Sequence, residues 1–204
     1  MKVLHIDSGI LGEGSVSRMM SAQVMEKLKE AVPNATVIYR DLDKQPIPHL
    51  TSEYFAASQA ATAEHEPELK ADLALGGVLL DEFIEADIVV IGASLYNLSV
   101  SSALKAWIDR IIILNKTFRY SAEGELQGLM GDKRVILCVS RGGFYAEGQP
   151  GAAMEHCESL MRAVLGFIGI TKLEVITADG TMVGPEHRSQ ALASFTEQVS
   201  SLKF

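Results

Sequence analysis

The chain has 204 residues, of which 48% are hydrophobic and 22% charged, which suits one large domain or two small ones. A formal net charge of −8 without any basic run argues against nucleic-acid binding, which needs clustered Lys and Arg. No stretch approaches the roughly 18 consecutive apolar residues of a membrane span, and the N-terminus begins with a strand pattern, so we expect a cytoplasmic protein that is not membrane-bound.

Apolar segments with a strand pattern recur along the chain, separated by segments of helical periodicity. The predicted strands are residues 2–7, 35–39, 88–91, 134–139 and 172–178. Residues 88–91 form an unbroken, mostly β-branched run, as expected of a strand buried on both faces of a parallel sheet. Apolar residues then recur every three or four positions from Leu104, so we predict a helix after Ser101.

Prolines mark the end of the first predicted helix and the start of the last. The first begins after Ser17 and is stopped by Pro33, and the last begins at Pro185 and runs to residue 202. A further helix is predicted over residues 152–168.

Two longer segments lie between the strands. Residues 51–85 predict one or two helices, with Pro67 starting the second and Gly76-Gly77 as a weak point inside it. This segment is long for a connection, which suggests that it covers an edge of the site or a partner subunit. Residues 117–131 predict a hairpin or lid inserted before the fourth strand.

The alternation of strands and helices shows no break in composition, so we predict a single α/β domain over residues 1–204. Its core is a doubly wound, five-stranded parallel sheet with helices on both faces. In a sheet of strand order 2-1-3-4-5, ligands bind in the crevice where the chain reverses between strands one and three. Polar loops follow strands one, three and four, and we expect them to converge on that crevice.

The first loop ends at two serines, Ser15 and Ser17, at a predicted helix start. Two hydroxyls and free backbone N–H groups there can bind a phosphate without Lys or Arg. The alternative is simple helix capping by one serine. A dinucleotide fingerprint with Gly12 and Gly14, and Asp41 as the ribose partner, matches weakly because Gly12 comes five residues after the strand.

The other two loops display polar and glycine residues at the same edge. Tyr96 and Asn97 follow the third strand, where a plain connection with an exposed tyrosine is the alternative. Residues 140–143 (Ser-Arg-Gly-Gly) follow the fourth strand, and paired glycines would let backbone N–H groups approach a flat ligand. A strand-ending turn is the alternative there.

The sequence shows no side-chain constellation that would carry chemistry alone. It lacks a Gly-x-Ser-x-Gly elbow and a Walker-type lysine, and its five histidines have no metal spacing. Cys138 and Cys157 have no metal or redox-pair spacing either, so we expect buried free thiols. Such a sequence points to a bound organic cofactor.

Four motifs stand in a characteristic order: Leu95-Tyr-Asn-Leu98, Phe118-Arg-Tyr120, Ser140-Arg-Gly-Gly143 and Leu165-Gly-Phe-Ile-Gly-Ile170. In this order and spacing they resemble the FMN-dependent NADH-azoreductases, which belong to the flavodoxin-like NAD(P)H:quinone reductases. The resemblance spans essentially the whole chain. It implies a flavodoxin-like fold, a homodimer, and FMN bound non-covalently near the subunit interface.

The resemblance also implies cofactor contacts in all three loops. They are Ser8, Gly9, Ser15, Val16, Ser17, Leu95, Tyr96, Asn97, Leu98, Ser140, Arg141, Gly142 and Gly143. A serine that the family often carries after strand one falls here on Gly9, beside Ser8, which leaves open which of the two contacts the phosphate. Tyr120 and Phe167 match aromatic residues on the substrate face of the flavin, Phe167 from the partner subunit; the alternative is a hairpin aromatic and a core phenylalanine.

The activity implied is a ping-pong hydride transfer from NADH or NADPH, through FMN, to quinones or azo compounds. Tyr96, Tyr120 and Phe167 would form a flat, weakly selective slot. Arg141 could reach the 2′-phosphate of NADPH or be a surface charge. The alternative function is a flavodoxin-type electron carrier that binds FMN without oxidising a nicotinamide.

Overall fold

The computed structural model describes residues 1–59 and 64–204. The strands are β1 (Lys2–Asp7), β2 (Thr36–Asp41), β3 (Ile88–Ser94), β4 (Phe118–Tyr120), β5 (Leu126–Gly128), β6 (Arg134–Ser140) and β7 (Lys172–Ala178). The helices are α1 (Val16–Ala31), α2 (Ser52–Gln59), α3 (Pro67–Glu85), α4 (Ser102–Ile111), α5 (Glu158–Phe167) and α6 (Pro185–Ser201).

The main sheet has the order β2-β1-β3-β6-β7, and all of its neighbouring strands are parallel. The short strands β4 and β5 pair antiparallel outside this sheet. When the five strands of the main sheet are numbered by themselves, their order is 2-1-3-4-5, which confirms the predicted doubly wound architecture. The pairing of β4 with β5 confirms the predicted hairpin within residues 117–131.

Two apolar layers enclose the sheet, and β3 contributes side chains to both because successive side chains of a strand point to opposite faces. Val89 and Ile91 pack in the layer formed with α3, α4 and α5. Ile88 and Val90 pack in the layer formed with α1 and α6. This double burial explains the unbroken apolar run in the sequence.

Several predicted helix starts are confirmed. Pro67 and Pro185 occupy the first turns of α3 and α6, where a missing backbone N–H costs nothing. Ser101 precedes α4, and its hydroxyl accepts a hydrogen bond from the N–H of Leu104 at 3.1 Å. The predicted helical segment 51–85 includes residues 60–63, which lie outside the described residues.

The predicted helix over residues 152–168 is wrong in its first six residues, because α5 begins at Glu158. Only a short 3₁₀ turn, Ala152–Met154, precedes α5. The carboxylate of Glu155 accepts hydrogen bonds from the N–H groups of Cys157, Glu158 and Ser159 at 2.8 to 3.1 Å. The helix therefore begins after Glu155, because this side chain satisfies the first N–H groups and replaces a preceding helical turn.

The predicted weak point at Gly76-Gly77 is also wrong, since α3 continues through both glycines. Gly76 is buried, and a Cβ atom there would lie 2.1 Å from the hydroxyl oxygen of Tyr54. Close packing of α2 on α3 thus outweighs the low helix propensity of glycine. Further along α3, Phe83 packs edge-on against Trp107 of α4 with ring centroids 5.7 Å apart.

Both cysteines are buried free thiols, as predicted. Burial raises the pKa of the Cys157 thiol to about 12 and raises the pKa of Cys138 as well. Among the helices described, none is long and apolar enough to cross a bilayer.

Candidate cofactor site

A line of serine hydroxyls joins the three loops predicted to converge. The Ser94 hydroxyl lies 2.9 Å from that of Ser17 and 2.8 Å from that of Ser140, and the Ser15 and Ser17 hydroxyls are 3.2 Å apart. All four residues are buried. Ser94 and Ser140 are partners in register at the ends of β3 and β6, so sheet pairing itself brings these loops together.

At the start of α1, Ser15 occupies the capping position, but its side chain caps no N–H group. The N–H groups of Val16, Ser17 and Arg18 have no acceptor within the described residues, as is usual in a first helical turn. Helix capping by Ser15 is therefore not what the serine does here. Its hydroxyl and these N–H groups are available to an anion.

The structure distinguishes Ser8 from Gly9. The buried Ser8 hydroxyl donates to the carbonyl of Gly92 at 2.8 Å, so its hydrogen is already used. Gly9 lies so close to the serines that an added Cβ atom would be 2.2 Å from the Ser15 hydroxyl and 3.0 Å from that of Ser17. Glycine at this position thus leaves space for both hydroxyls.

The loop after β3 is a tight turn. Tyr96 and Ser99 exchange backbone hydrogen bonds of 2.9 and 3.0 Å, and Asn97 and Leu98 between them have φ values of 47° and 72°. Such left-handed backbone is uncommon for leucine and is often found at binding sites. The N–H groups of Asn97 and Leu98 have no acceptor within the described residues.

In the loop after β6, the Arg141 side chain is not a surface charge. It is 4% exposed and forms ion pairs with Asp179 at 3.0 Å, with Glu155 at 3.5 Å and with Glu158. The three carboxylates surround the guanidinium and account for its charge. Its own N–H also donates to Ala178 at 2.9 Å, so it cannot serve as a backbone donor.

The paired glycines behave differently from Arg141. Their carbonyls accept bonds from loop residues after β7: Gly142 from Met182 at 3.0 Å and Gly143 from Gly180 at 2.9 Å. The N–H groups of Gly142 and Gly143 have no acceptor within residues 1–59 and 64–204. These two groups are the donors that the loop retains for a ligand.

The loops enclose a cavity of about 230 Å³. Its lining residues are Leu11, Gly14, Ser15, Val16, Ser94, Leu95, Tyr96, Ser140, Gly142, Thr181, Met182 and Arg188. Sequence analysis did not single out Leu11, Ser94, Thr181, Met182 or Arg188. Ser94 ends β3, Thr181 and Met182 lie in the loop after β7, and Arg188 lies in the first turn of α6, and none of these segments has a distinctive motif. Arg188 is the one cation among these lining residues.

Tyr120 and Phe167 do not line this cavity within the described part of the chain. Both pack near Phe118, whose ring centroid is 6.0 Å from that of Tyr120 and 4.7 Å from that of Phe167. Tyr120 is 56% exposed. The three rings thus form an aromatic cluster between the hairpin and the end of α5.

The sheet order and the polar crevice at its switch point define a doubly wound, flavodoxin-type protein. The sequence model of a family described as flavodoxin-like fold matches residues 1–202. A protein of Xanthomonas campestris pv. campestris named FMN-dependent NADH:quinone oxidoreductase is 52% identical over 202 residues, covering 99% of each chain. The chain therefore belongs to the flavodoxin-like family, among the FMN-dependent NADH:quinone oxidoreductases.

Solved structures agree with this placement. An azoreductase from Bacillus anthracis str. Sterne is 31% identical with a TM-score of 0.89, over 98% of this chain and 97% of that one. An FMN-dependent NADH-azoreductase from Bacillus anthracis str. Ames Ancestor, in complex with FMN, is 26% identical with a TM-score of 0.85 over the same shares. These comparisons confirm the resemblance inferred from the four motifs.

Proposed function

We propose that this protein is an FMN-dependent oxidoreductase that transfers electrons from NADH to quinones and azo compounds. The observation that carries the proposal is the line of buried hydroxyls joining Ser15, Ser17, Ser94 and Ser140 at the switch point. Relatives and structural neighbours named as FMN-dependent quinone reductases and azoreductases supply the cofactor and the reaction class.

The residues present fit FMN in two respects. A phosphate would accept hydrogen bonds from the N–H groups that begin α1 and from the hydroxyls of Ser15 and Ser17, in the space that Gly9 leaves open. The flavin ring would meet the N–H groups of Gly142 and Gly143. Ser8 and the Arg141 side chain support these loops in the proposal and do not contact the cofactor.

When bound, FMN supplies the two-electron carrier that accepts a hydride from the nicotinamide and reduces the second substrate. The chain's own residues would bind the cofactor and orient its ring. The loops after β3 and β6 would hold the polar edge of the ring, and the Tyr96 side chain would shape its surroundings. No side chain is assigned as an obligatory acid or base, and water supplies the product's proton.

We further propose a homodimer in the cytoplasm. The exposed Tyr120 lies with Phe167 away from this chain's own cavity, so the cluster is free to reach the cavity of a second copy. Two buried free thiols suit a reducing compartment. Light scattering of the purified protein should give twice the 22.1 kDa of one chain, and a monomer would contradict the dimer.

The decisive experiment mixes FMN-loaded protein with NADH in the absence of oxygen. We expect the flavin absorption to bleach and to return when a quinone or an azo dye is added. FMN binding without bleaching by NADH or NADPH would instead support a flavodoxin-type carrier. Comparing rates with the two nucleotides would then establish the preferred donor.

A further inference from the structure

Arg18 directly follows Ser17, yet its side chain does not line the cavity between the three loops. The guanidinium pairs with both carboxylate oxygens of Asp41 at 2.6 and 2.7 Å, and its Nη1 also lies 3.2 Å from the Tyr39 hydroxyl. Its Nε donates to the backbone carbonyl of Gly9 at 2.8 Å. Arg18 thus links the end of β2 to the loop after β1.

The peptide unit between Gly9 and Ile10 has partners at both ends. Its carbonyl accepts the bond from Arg18, and its N–H donates to the Tyr96 hydroxyl at 3.1 Å. No cis peptide occurs among the described residues, so this unit is trans and its C=O and N–H point in opposite directions. One peptide therefore connects Arg18 on one side with Tyr96 on the other.

Rotation of this peptide would affect the serines as well. The position of a Cβ atom on Gly9 is 2.2 Å from the Ser15 hydroxyl and 3.0 Å from that of Ser17, so the Gly9 backbone lies against both. Because the interior is closely packed, a change in the orientation of Gly9 would displace these hydroxyls. The direction of a single peptide thus bears on two of the loops around the cavity.

We propose that Arg18, held by Asp41, is a positioning residue that orients the Gly9–Ile10 peptide and thereby fixes the serine hydroxyls and Tyr96 for cofactor binding. The inference rests on the proposed function, since the ligand is FMN. Arg18 itself does not touch the cofactor. Its contribution is preorganisation, because a loop already in its bound geometry loses less entropy when the ligand binds.

A purely structural role would join β2 to α1 and would affect folding alone. The variant Arg18→Gln separates the two roles when FMN affinity is measured by fluorescence quenching and apoprotein stability by thermal unfolding. We expect the Kd for FMN to rise about tenfold, a loss of about 1.4 kcal/mol, similar to one hydrogen bond to a charged group. Arg18→Lys, which cannot contact Asp41 and Gly9 together as a fork does, should fall between the wild type and Arg18→Gln.

The matched control is Arg40→Gln. Arg40 lies on β2 and, like Arg18, pairs its guanidinium with a carboxylate, its Nε donating to Glu82 at 2.8 Å. Within the described residues it has no contact with the loops that line the cavity. We expect this variant to lower thermal stability without changing the Kd for FMN.

A double-mutant cycle with Tyr96→Phe tests the connection through the peptide. If Arg18 acts on Tyr96 through Gly9 and Ile10, the double variant should bind FMN no more weakly than Arg18→Gln alone. Fully additive losses, or an unchanged Kd in Arg18→Gln, would overturn the inference while leaving the proposed function intact. Failure of the wild type to bind FMN would instead reject both.

Should Arg18→Gln not fold, Asp41→Asn provides the same test. It keeps the shape of the carboxylate but removes the charge that holds the guanidinium. We expect a smaller rise in the Kd for FMN, of about threefold, and unchanged binding in this variant would count against the inference.

Discussion

Buried serine hydroxyls are the chemical basis of the candidate site. Ser17 and Ser94 are 0% and 8% exposed, and each satisfies the other without charge. A hydroxyl can both donate and accept, so this line can turn its hydrogens toward an anion when one binds. In the proposed site, these hydroxyls would let an acidic protein bind a phosphate with little help from basic side chains.

The variant Ser17→Ala should weaken FMN binding about tenfold, because it removes one hydrogen bond to a charged phosphate, worth about 1.5 kcal/mol. Fluorescence titration of the apoprotein with FMN measures the effect. Ser200→Ala is the control, since that exposed hydroxyl donates only to the Glu197 carbonyl. Equal affinity in Ser17→Ala and the wild type would remove Ser17 from the phosphate site.

Replacing Tyr120 or Phe167 by alanine should alter acceptor preference more than FMN retention. Both rings lie in the aromatic cluster around Phe118 and not against the chain's own cavity, so in the proposed dimer they would meet a substrate bound in the cavity of the second copy. Comparing kcat/KM for a quinone and an azo dye should reveal changes of several-fold. Phe204→Ala is a control, because that ring packs on Arg134 at the opposite end of β6. Unchanged acceptor kinetics in both variants would contradict the assignment.

At the scale of elements, packing decides where helices begin and continue. Glu155 starts α5 by accepting three N–H groups, although the sequence pattern runs helical from residue 152. In α3 the two glycines have opposite surroundings. Gly76 is buried against Tyr54, whereas a Cβ atom on exposed Gly77 would meet nothing within 4 Å.

This contrast gives a prediction with two adjacent variants. Gly77→Ala should stabilise the protein by about 0.5 to 1 kcal/mol, because alanine loses less backbone entropy in a helix. Gly76→Ala should destabilise it by about 1 to 3 kcal/mol through overpacking against Tyr54. Urea unfolding measures both free energies. A shift of both variants in the same direction would contradict the packing argument.

At the scale of the whole molecule, ion pairs between residues far apart in sequence connect separate elements of the fold. Arg18 with Asp41 joins α1 to β2, and Arg141 with Asp179 joins the loop after β6 to the loop after β7. The bidentate hydrogen bond from Arg18 holds the pKa of Asp41 below its usual range. The free energy of unfolding should therefore depend on pH in the acid range.

An acid whose pKa is lower in the folded state contributes stability above its unfolded pKa, about 4 for Asp, and loses that contribution as the pH falls through the folded value. Asp41→Asn should thus be less stable than the wild type at pH 7 by about 2 kcal/mol, the usual loss when a hydrogen bond to a charged group is weakened, and the difference should shrink below pH 4. Unfolding at several pH values measures it, with exposed Asp43→Asn as the control. A difference that is as large at pH 3 as at pH 7 would exclude this linkage.

The sequence by itself determined the class of fold and the three loops. Period and length separated the buried strands from the helices, and prolines marked the starts of α3 and α6 because proline acts through its own backbone. Residues in four short motifs were enough to indicate the family, since such motifs are contiguous in the sequence and can be identified without knowing which distant residues they contact.

Only the tertiary structure decided what individual polar side chains do. Arg141 was assigned to a ligand, but three carboxylates up to 38 residues away surround it. Ser94 and the link from Arg18 to Tyr96 through one peptide were likewise invisible, because each depends on partners brought together by the sheet. A charged or hydroxyl group binds whichever partner the fold places within about 3 Å, and that partner is not written in its neighbours along the chain.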